Sequence, residues 1–112
     1  YYGNSHYYIG LGHMALKMAG CPVSNCILSS NRSRYPITDW DAIVWHFRSS
    51  DRSLPVHRSP NSRYVFYMME SPLNLFAKDL KEYNELFNWT MTYRLDSTFP
   101  HPYGQVFRRS EV

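Results

Sequence analysis

The sequence of 112 residues is poor in long apolar runs, in cysteine and in net charge. None of its apolar runs approaches the roughly 18 residues that a membrane-spanning helix needs, so we predict no such helix within it. Its two cysteines, Cys21 and Cys26, are too few for a structural zinc centre, which takes about four ligands. The net charge of +3 is small, whereas a nucleic-acid-binding domain normally carries a stronger and clustered positive charge. The composition therefore indicates neither a metal centre nor a nucleic-acid partner.

Aromatic residues, in contrast, are abundant. They make up 17% of the chain and include 10 tyrosines, within a composition of 44% hydrophobic and 19% charged residues. Such a balance is typical of a globular domain and not of a disordered segment. The length fits one domain of the common size of about 100–150 residues. The aromatic content supplies a core and further rings that can stack on a ligand.

The cysteines and two glycosylation motifs point to an oxidising compartment. Cys21 and Cys26 are separated by four residues, which predicts a disulfide between them or two half-bridges to partners elsewhere. Asn31 and Asn88 each begin an N-x-[ST] sequon, so both are candidate glycosylation sites. Each motif is weak alone, and together they favour the secretory pathway.

The apolar pattern predicts a sheet with helices between its strands. Two continuous apolar runs, residues 41–47 and 64–69, are typical of strands buried on both faces. Residues 89–93 alternate and form a third strand candidate, while helical patterns cover residues 14–19 and 75–87. The tail from Pro100 onward is predicted to be a linker. Buried strands separated by helices and polar connections predict an α/β fold with a mostly parallel sheet.

Polar residues follow the two buried runs where each strand is expected to end. His46 ends the first run and Glu70 follows the second, ahead of the Ser71-Pro72 turn. Parallel neighbours would bring both residues to the carboxyl edge of the sheet, where ligands bind in such folds. The alternative is that each residue only marks where a strand leaves the core. Glu70 is the stronger candidate, because glutamate is a poor strand residue.

Two short motifs suggest other chemistry and are weaker. Residues 10–15 fit the dinucleotide pattern G-x-G-x-x-[GA] through Gly10 and Gly12. The run before them is short, and no acidic residue ends a strand about 20 residues further on. Asp39-Trp40-Asp41 has the D-x-D form that binds a metal-bridged sugar nucleotide in one class of glycosyltransferase. In that class the motif follows a strand, whereas here it precedes one. A polar turn leading into the strand is therefore the favoured interpretation.

Three segments, taken in order, resemble the N-terminal domain of the α1,3-fucosyltransferases: residues 21–33, 41–48 and 69–104. That family carries a cysteine region, an Ala-Asp-Ala-Val-like strand ending in His-x-Arg, and the motifs Glu-Ser-Pro, Phe-Asn-Trp-Thr, Tyr-Arg-x-Asp-Ser and Pro-Tyr-Gly. The match covers residues 20–106 with matching gaps. Residues 1–19 match poorly, and residues 107–112 are expected to begin a linker.

The resemblance implies the acceptor-side half of an inverting GT-B glycosyltransferase. Such an enzyme has two Rossmann-like domains, and it transfers L-fucose from GDP-fucose to a GlcNAc-containing glycan. It implies a type II Golgi membrane protein with its anchor upstream of this chain and its GDP-fucose-binding domain downstream. It also implies that the cysteines pair with cysteines near the far C-terminus. No cofactor is expected in this domain, manganese dependence stays open, and the fragment alone is expected to be inactive.

The resemblance also assigns roles to individual residues. Glu70 matches the family's proposed general base. His46 and Trp45 are expected to contact the acceptor glycan, with the indole ring stacking on a sugar face. Arg94 is expected either to contact the acceptor or to form an internal ion pair with Asp96. A secreted carbohydrate-binding module without catalysis, using the same aromatic edge, is the rival interpretation.

Overall fold

The computed structural model of the chain describes residues 10–31, 33–48, 53, 56–74 and 80–111. Within them lies a four-stranded sheet whose strands pair in sequence order, each parallel to the next. The strands are β1 (Ala42–His46), β2 (Arg63–Met68), β3 (Trp89–Thr92) and β4 (Phe99–Pro100). The parallel sheet confirms the predicted α/β class, and β1 to β3 fall on the three predicted strand runs.

Helical structure in the described ranges is short. One α-helix, α1, spans Met14–Met18, and single 3-10 turns span Ile37–Asp39, Pro72–Asn74, Lys81–Tyr83 and Arg109–Glu111. Of these helices, none has the length and apolar character needed to cross a membrane. α1 confirms the helix predicted before Gly20, which has a left-handed φ of 70° where the helix ends.

The helix predicted over residues 75–87 is wrong in the part that the structure describes. Residues 75–79 lie outside the described ranges, and beyond them only Lys81–Tyr83 is helical. Glu85 then has a φ of 63°, in the left-handed region that ends a right-handed helix. The apolar residues after this turn, Leu86 and Phe87, pack against the core cluster. Tertiary packing therefore decides the backbone here, over a helix-like spacing of apolar residues.

The core cluster is largely aromatic and forms between β1 and β2. Its buried members come from these two strands and the residue after β1: Ile43, Trp45, Phe47, Tyr64 and Met68. The Phe47 ring is its centre, with ring centroids at 4.5 Å from Phe66, 4.9 Å from Tyr83 and 5.4 Å from Phe87. The contacts with Tyr83 and Phe87 are edge-to-face and that with Phe66 is tilted, and such aromatic pairs stabilise a cluster beyond the area that they bury. This cluster fixes β1 against β2 and so places the ends of both strands.

The long polar connection between β1 and β2 is attached to the start of β3 through Arg58. Its guanidinium donates hydrogen bonds to the carbonyl of Leu86 and, at 2.6 Å, to Oδ1 of Asn88. The same guanidinium lies over the Tyr64 ring, 4.3 Å from its centroid. Oδ1 of Asn88 also accepts the backbone N–H of Tyr64 at 2.9 Å. We name these four residues the Arg58 clasp.

β4 differs from the sequence prediction, which places a linker in the tail. Phe99 pairs with Met91 and Pro100 with Thr92, and the N–H of His101 donates to the Thr92 carbonyl at 2.7 Å. Two residues are too few to show an apolar period, and proline is a poor signal for a strand. Among the strands that the structure describes, β4 lies at the edge of the sheet, and an edge strand tolerates proline.

Candidate functional site

The site lies at the carboxyl edge of the sheet. β1 ends at His46 and β2 at Met68. Because the two strands are parallel, the residues just beyond both ends meet at this edge. Arg48 and Glu70 do so, with 3.7 Å between Nη1 and Oε1. Glu70 thus contacts Arg48, two residues after His46, and a joint site of His46 and Glu70 stays a prediction.

Glu70 is the centre of this edge, because side chains from three segments meet at its carboxylate. The Tyr103 hydroxyl donates to Oε1 at 3.0 Å, and the Asn74 amide donates to Oε2 at 3.3 Å. Arg48 adds a positive charge beside Oε1. The Glu70 side chain keeps 31% of its surface exposed, so the carboxylate can still be approached from solvent. A carboxylate held by donors and open to solvent is suited to accept a proton or to bind a hydroxyl.

The chain after each strand explains how these partners arrive. Ser71 and Pro72 turn the backbone into the Pro72–Asn74 3-10 turn, where the Asn74 N–H donates to the Ser71 carbonyl at 2.9 Å. This turn brings the Asn74 amide back to Glu70, four residues earlier. Tyr103 comes from the opposite direction, three residues after β4 ends at Pro100. Sequence reasoning missed Tyr103 and Asn74, and the Pro-Tyr-Gly motif was the signal that marked Tyr103.

His46 lies at the same end of β1 and is 8% exposed. Its ring centroid is 5.2 Å from that of Tyr67, its parallel partner on β2. The Tyr67 ring in turn stacks on His101, with 5.9 Å between centroids and 18° between planes. Burial, and then the charge of Arg48, lowers the pKa of His46 below its usual value of 6.5. The imidazole is therefore neutral at neutral pH and presents a small surface to any acceptor.

Trp45 belongs to the core cluster. It is 3% exposed, and its ring centroid is 5.8 Å from that of Tyr64. Neighbouring strand residues point to opposite faces, so Trp45 and His46 cannot both face the same ligand. The ring packs against protein and leaves no face open to a ligand, which does not fit the predicted stacking on a sugar. The alternation of side chains along a strand was the sequence signal that could have shown that Trp45 and His46 face opposite ways.

Arg94 and Asp96 form an ion pair in the loop after β3. Nε and Nη2 of Arg94 donate to the two oxygens of Asp96 at 2.8 Å and 2.7 Å. The hydrogen bond from Arg94, more than the charge of the guanidinium, lowers the pKa of Asp96. Both side chains are exposed. Of the two alternatives for Arg94, the structure contains the internal ion pair, and acceptor contact stays a prediction.

The two sequons differ in their surroundings. Oδ1 of Asn31 accepts the Ser33 N–H at 3.0 Å in an exposed turn. Oδ1 of Asn88 belongs to the Arg58 clasp, although the residue as a whole is exposed. A glycan attaches to the side-chain nitrogen, so neither arrangement of the oxygen conflicts with modification. Glycosylation stays a prediction at both sites.

Cys21 and Cys26 are free thiols in the structure, the first half-buried and the second exposed. The bridge between them, one of the alternatives predicted from their spacing, is therefore not formed. Pairing with cysteines elsewhere in a longer protein stays a prediction.

The dinucleotide alternative does not fit the structure around Gly12. Its N–H donates to the Leu28 carbonyl at 2.8 Å and its carbonyl accepts the Leu28 N–H at 3.2 Å. The amide that would cradle a pyrophosphate is thus already bonded. The helix that follows, α1, has only five residues.

The D-x-D alternative lies far from the carboxyl edge. Asp39 closes the Ile37–Asp39 turn before β1 begins, and its carboxylate accepts the Thr38 hydroxyl at 3.2 Å. This is the amino end of β1, opposite to Glu70. Among the residues that the structure describes, no group of three or more His, Cys, Asp or Glu side chains could hold a metal ion.

The parallel sheet, with a polar cluster beyond the ends of its strands, has the arrangement of an α/β domain, a fold in which ligands commonly bind at that edge. The family model described as "Fucosyltransferase, N-terminal" matches residues 5–104. The chain therefore belongs to the fucosyltransferase N-terminal domain family, which confirms the resemblance read from the motifs.

Individual relatives agree with the family. The chain is 42% identical over 90 residues to an α-(1,3)-fucosyltransferase of Caenorhabditis elegans, covering 80% of this chain and 23% of the relative. It is 39% identical over 90 residues to α-(1,3)-fucosyltransferase C of Drosophila melanogaster, covering 77% and 21%. It is 44% identical over 86 residues to a 3-galactosyl-N-acetylglucosaminide 4-α-L-fucosyltransferase of Bos taurus, covering 72% and 22%. The chain thus spans less than a quarter of each of these relatives, and no solved structure matches it.

Proposed function

We propose that this chain is the acceptor-side part of an α1,3-fucosyltransferase that transfers L-fucose from GDP-fucose to a GlcNAc-containing glycan. The observation that carries the proposal is the Glu70 carboxylate, held at the carboxyl edge by Tyr103 and Asn74 and still open to solvent. The names of the relatives support the fucosyl-transfer activity of the intact protein.

In this mechanism Glu70 is the general base. An acceptor hydroxyl attacks the anomeric carbon of fucose while the bond from that carbon to the GDP oxygen breaks. The hydroxyl proton passes to Glu70, and GDP leaves with the bonding electron pair. A single displacement of this kind inverts the anomeric centre through an oxocarbenium-like transition state, as in inverting glycosidases. A base positioned for this proton contributes about 10²–10⁴-fold to the rate.

Other parts of the proposal concern the longer protein. We assign the GDP-fucose site to a second domain that follows this one, in a GT-B arrangement. The 112-residue chain alone would therefore not catalyse transfer. We further propose a lumenal Golgi location on a type II membrane anchor upstream of this domain. His46 and Arg94 are proposed acceptor contacts, and no cofactor is assigned to this domain.

The test is Glu70→Gln in the full-length protein, assayed for fucose transfer to N-acetylglucosaminyl acceptors. The glutamine side chain keeps the size and one hydrogen-bonding oxygen but cannot take the proton, so kcat is expected to fall at least about 100-fold. Glu82→Gln is the matched control, because Glu82 is an exposed glutamate on the Lys81–Tyr83 turn. Transfer near the wild-type rate by the Glu70 variant would show that Glu70 is not the base. Glycan binding without transfer by the wild-type protein would favour the carbohydrate-binding module.

A further inference from the structure

The two oxygens of the Glu70 carboxylate have unequal surroundings. Oε1 accepts the Tyr103 hydroxyl at 3.0 Å and faces the Arg48 guanidinium at 3.7 Å. Oε2 accepts one donor, the Asn74 amide, at the longer distance of 3.3 Å. Oε1 is thus the more strongly held oxygen, and Oε2 is the one with more capacity left to accept a proton.

We propose that Tyr103 is a positioning residue for Glu70: its hydroxyl holds Oε1 so that Oε2 faces the acceptor hydroxyl. This inference rests on the proposed function, since it assumes that Glu70 is the base. Tyr103 acts through the carboxylate, so it is assigned no contact with the reacting atoms.

The need for such a residue follows from where Glu70 sits. It lies after the last residue of β2, on a turn, and its side chain is partly exposed. Without partners, the carboxylate would rotate among several orientations, and misplacement of a base by about 1 Å lowers rates strongly. Asn74 belongs to the same turn and moves with it. Tyr103 is 33 residues away and arrives from beyond β4. Its hydrogen bond, together with the Arg48 guanidinium at 3.7 Å, therefore ties the carboxylate to the sheet.

The variant Tyr103→Phe in the full-length enzyme removes only this hydroxyl. We expect kcat to fall about tenfold, as for loss of one hydrogen bond to a charged group. The acceptor KM is expected to stay within about twofold. Tyr35→Phe is the matched control, because Tyr35 is an exposed tyrosine whose ring contacts Trp40 at the other end of β1. It should leave kcat and KM unchanged.

A double-mutant cycle separates this inference from the proposed function. If Glu70→Gln keeps wild-type activity, the proposed function fails whatever Tyr103→Phe does. If Glu70→Gln is impaired, adding Tyr103→Phe to it should lower the residual rate no further, because the two residues act as one unit. The inference is overturned if Tyr103→Phe raises only the acceptor KM, or if it lowers the residual rate of the Glu70 variant again. A fall in kcat that is matched by a lower thermal midpoint would also overturn it, because it would indicate general destabilisation of the domain.

Discussion

Arg58 and Asn88 lie 30 residues apart in the chain, and Nη2 of the guanidinium donates to Oδ1 of the carboxamide at 2.6 Å. The same oxygen accepts the Tyr64 N–H, and the guanidinium covers the Tyr64 ring. One side chain thus joins the β1–β2 connection, the beginning of β2 and the beginning of β3. This polar contact stabilises the packing of the strands at the amino end of the sheet. The aromatic core stabilises it further along the strands.

The Arg58 clasp gives the first prediction. Arg58→Met keeps an apolar stem over Tyr64 but removes both donated hydrogen bonds. We expect the free energy of unfolding in urea to fall by about 1–3 kcal/mol. Arg63→Met is the control, because within the described residues the Arg63 guanidinium makes long contacts, at 3.4 Å and 3.5 Å, with two backbone carbonyls. It should change the free energy by less than about 0.5 kcal/mol, and an equal loss in both variants would contradict the clasp.

The core gives a second prediction, centred on Phe47. Its ring contacts three other rings, so Phe47→Ala leaves a cavity that the surrounding backbone cannot fill. The expected loss in the free energy of unfolding is about 3–5 kcal/mol. Leu95→Ala is the control, because Leu95 is 82% exposed. A loss below about 1 kcal/mol for the Phe47 variant would mean that the cluster is not the core.

His46 gives a pH prediction. Burial lowers the pKa of the folded-state imidazole below the value of about 6.5 that it has in the unfolded chain. The stability linked to this shift is therefore complete above about pH 6.5 and is lost as the pH falls toward the folded-state pKa. We expect the thermal midpoint to drop between pH 7 and pH 5, and His46→Gln to reduce that drop. The exposed His57, changed to glutamine, should leave it unaltered, and an undiminished drop in the His46 variant would refute the assignment.

The Arg94–Asp96 pair gives a prediction about acceptor binding. Both side chains are exposed, so breaking the pair should hardly change the thermal midpoint. If Arg94 contacts the acceptor, Arg94→Gln raises the acceptor KM about tenfold with little change in kcat. Asp96→Asn, which leaves the guanidinium in place, should raise it much less. Equal increases in both variants would show that the pair acts as a unit that shapes the loop.

The sequence predicted those parts of the fold that a local pattern encodes. β1 and β2 are largely buried and read as continuous apolar runs, so their positions and their parallel pairing followed. Glu70 was found because a charged residue directly follows such a run. The partners of Glu70 at the site were not found in this way. Its contacts with Arg48 and Tyr103 join residues far apart in sequence, and no periodic pattern records which distant side chains will meet.

The errors have a common physical origin. β4 is too short to have a period, and the segment after residue 80 has a helical spacing that its packing against the core overrides. Trp45 was grouped with its neighbour His46 as an acceptor contact, although adjacent strand residues face opposite ways. In none of these three cases does local sequence preference determine the structure, because each depends on which residues pack against the sheet.

β4 consists of two residues, yet the chain that carries Tyr103 to Glu70 runs directly from it. So short a strand can open without unfolding the rest of the domain, because local opening follows the few contacts that hold a segment. We therefore expect the fraction of molecules in which Tyr103 contacts Glu70 to fall at a lower temperature or denaturant concentration than the one at which the core unfolds. The His101 N–H donates to the Thr92 carbonyl at 2.7 Å. Its hydrogen-exchange rate would therefore measure how often this edge of the sheet opens.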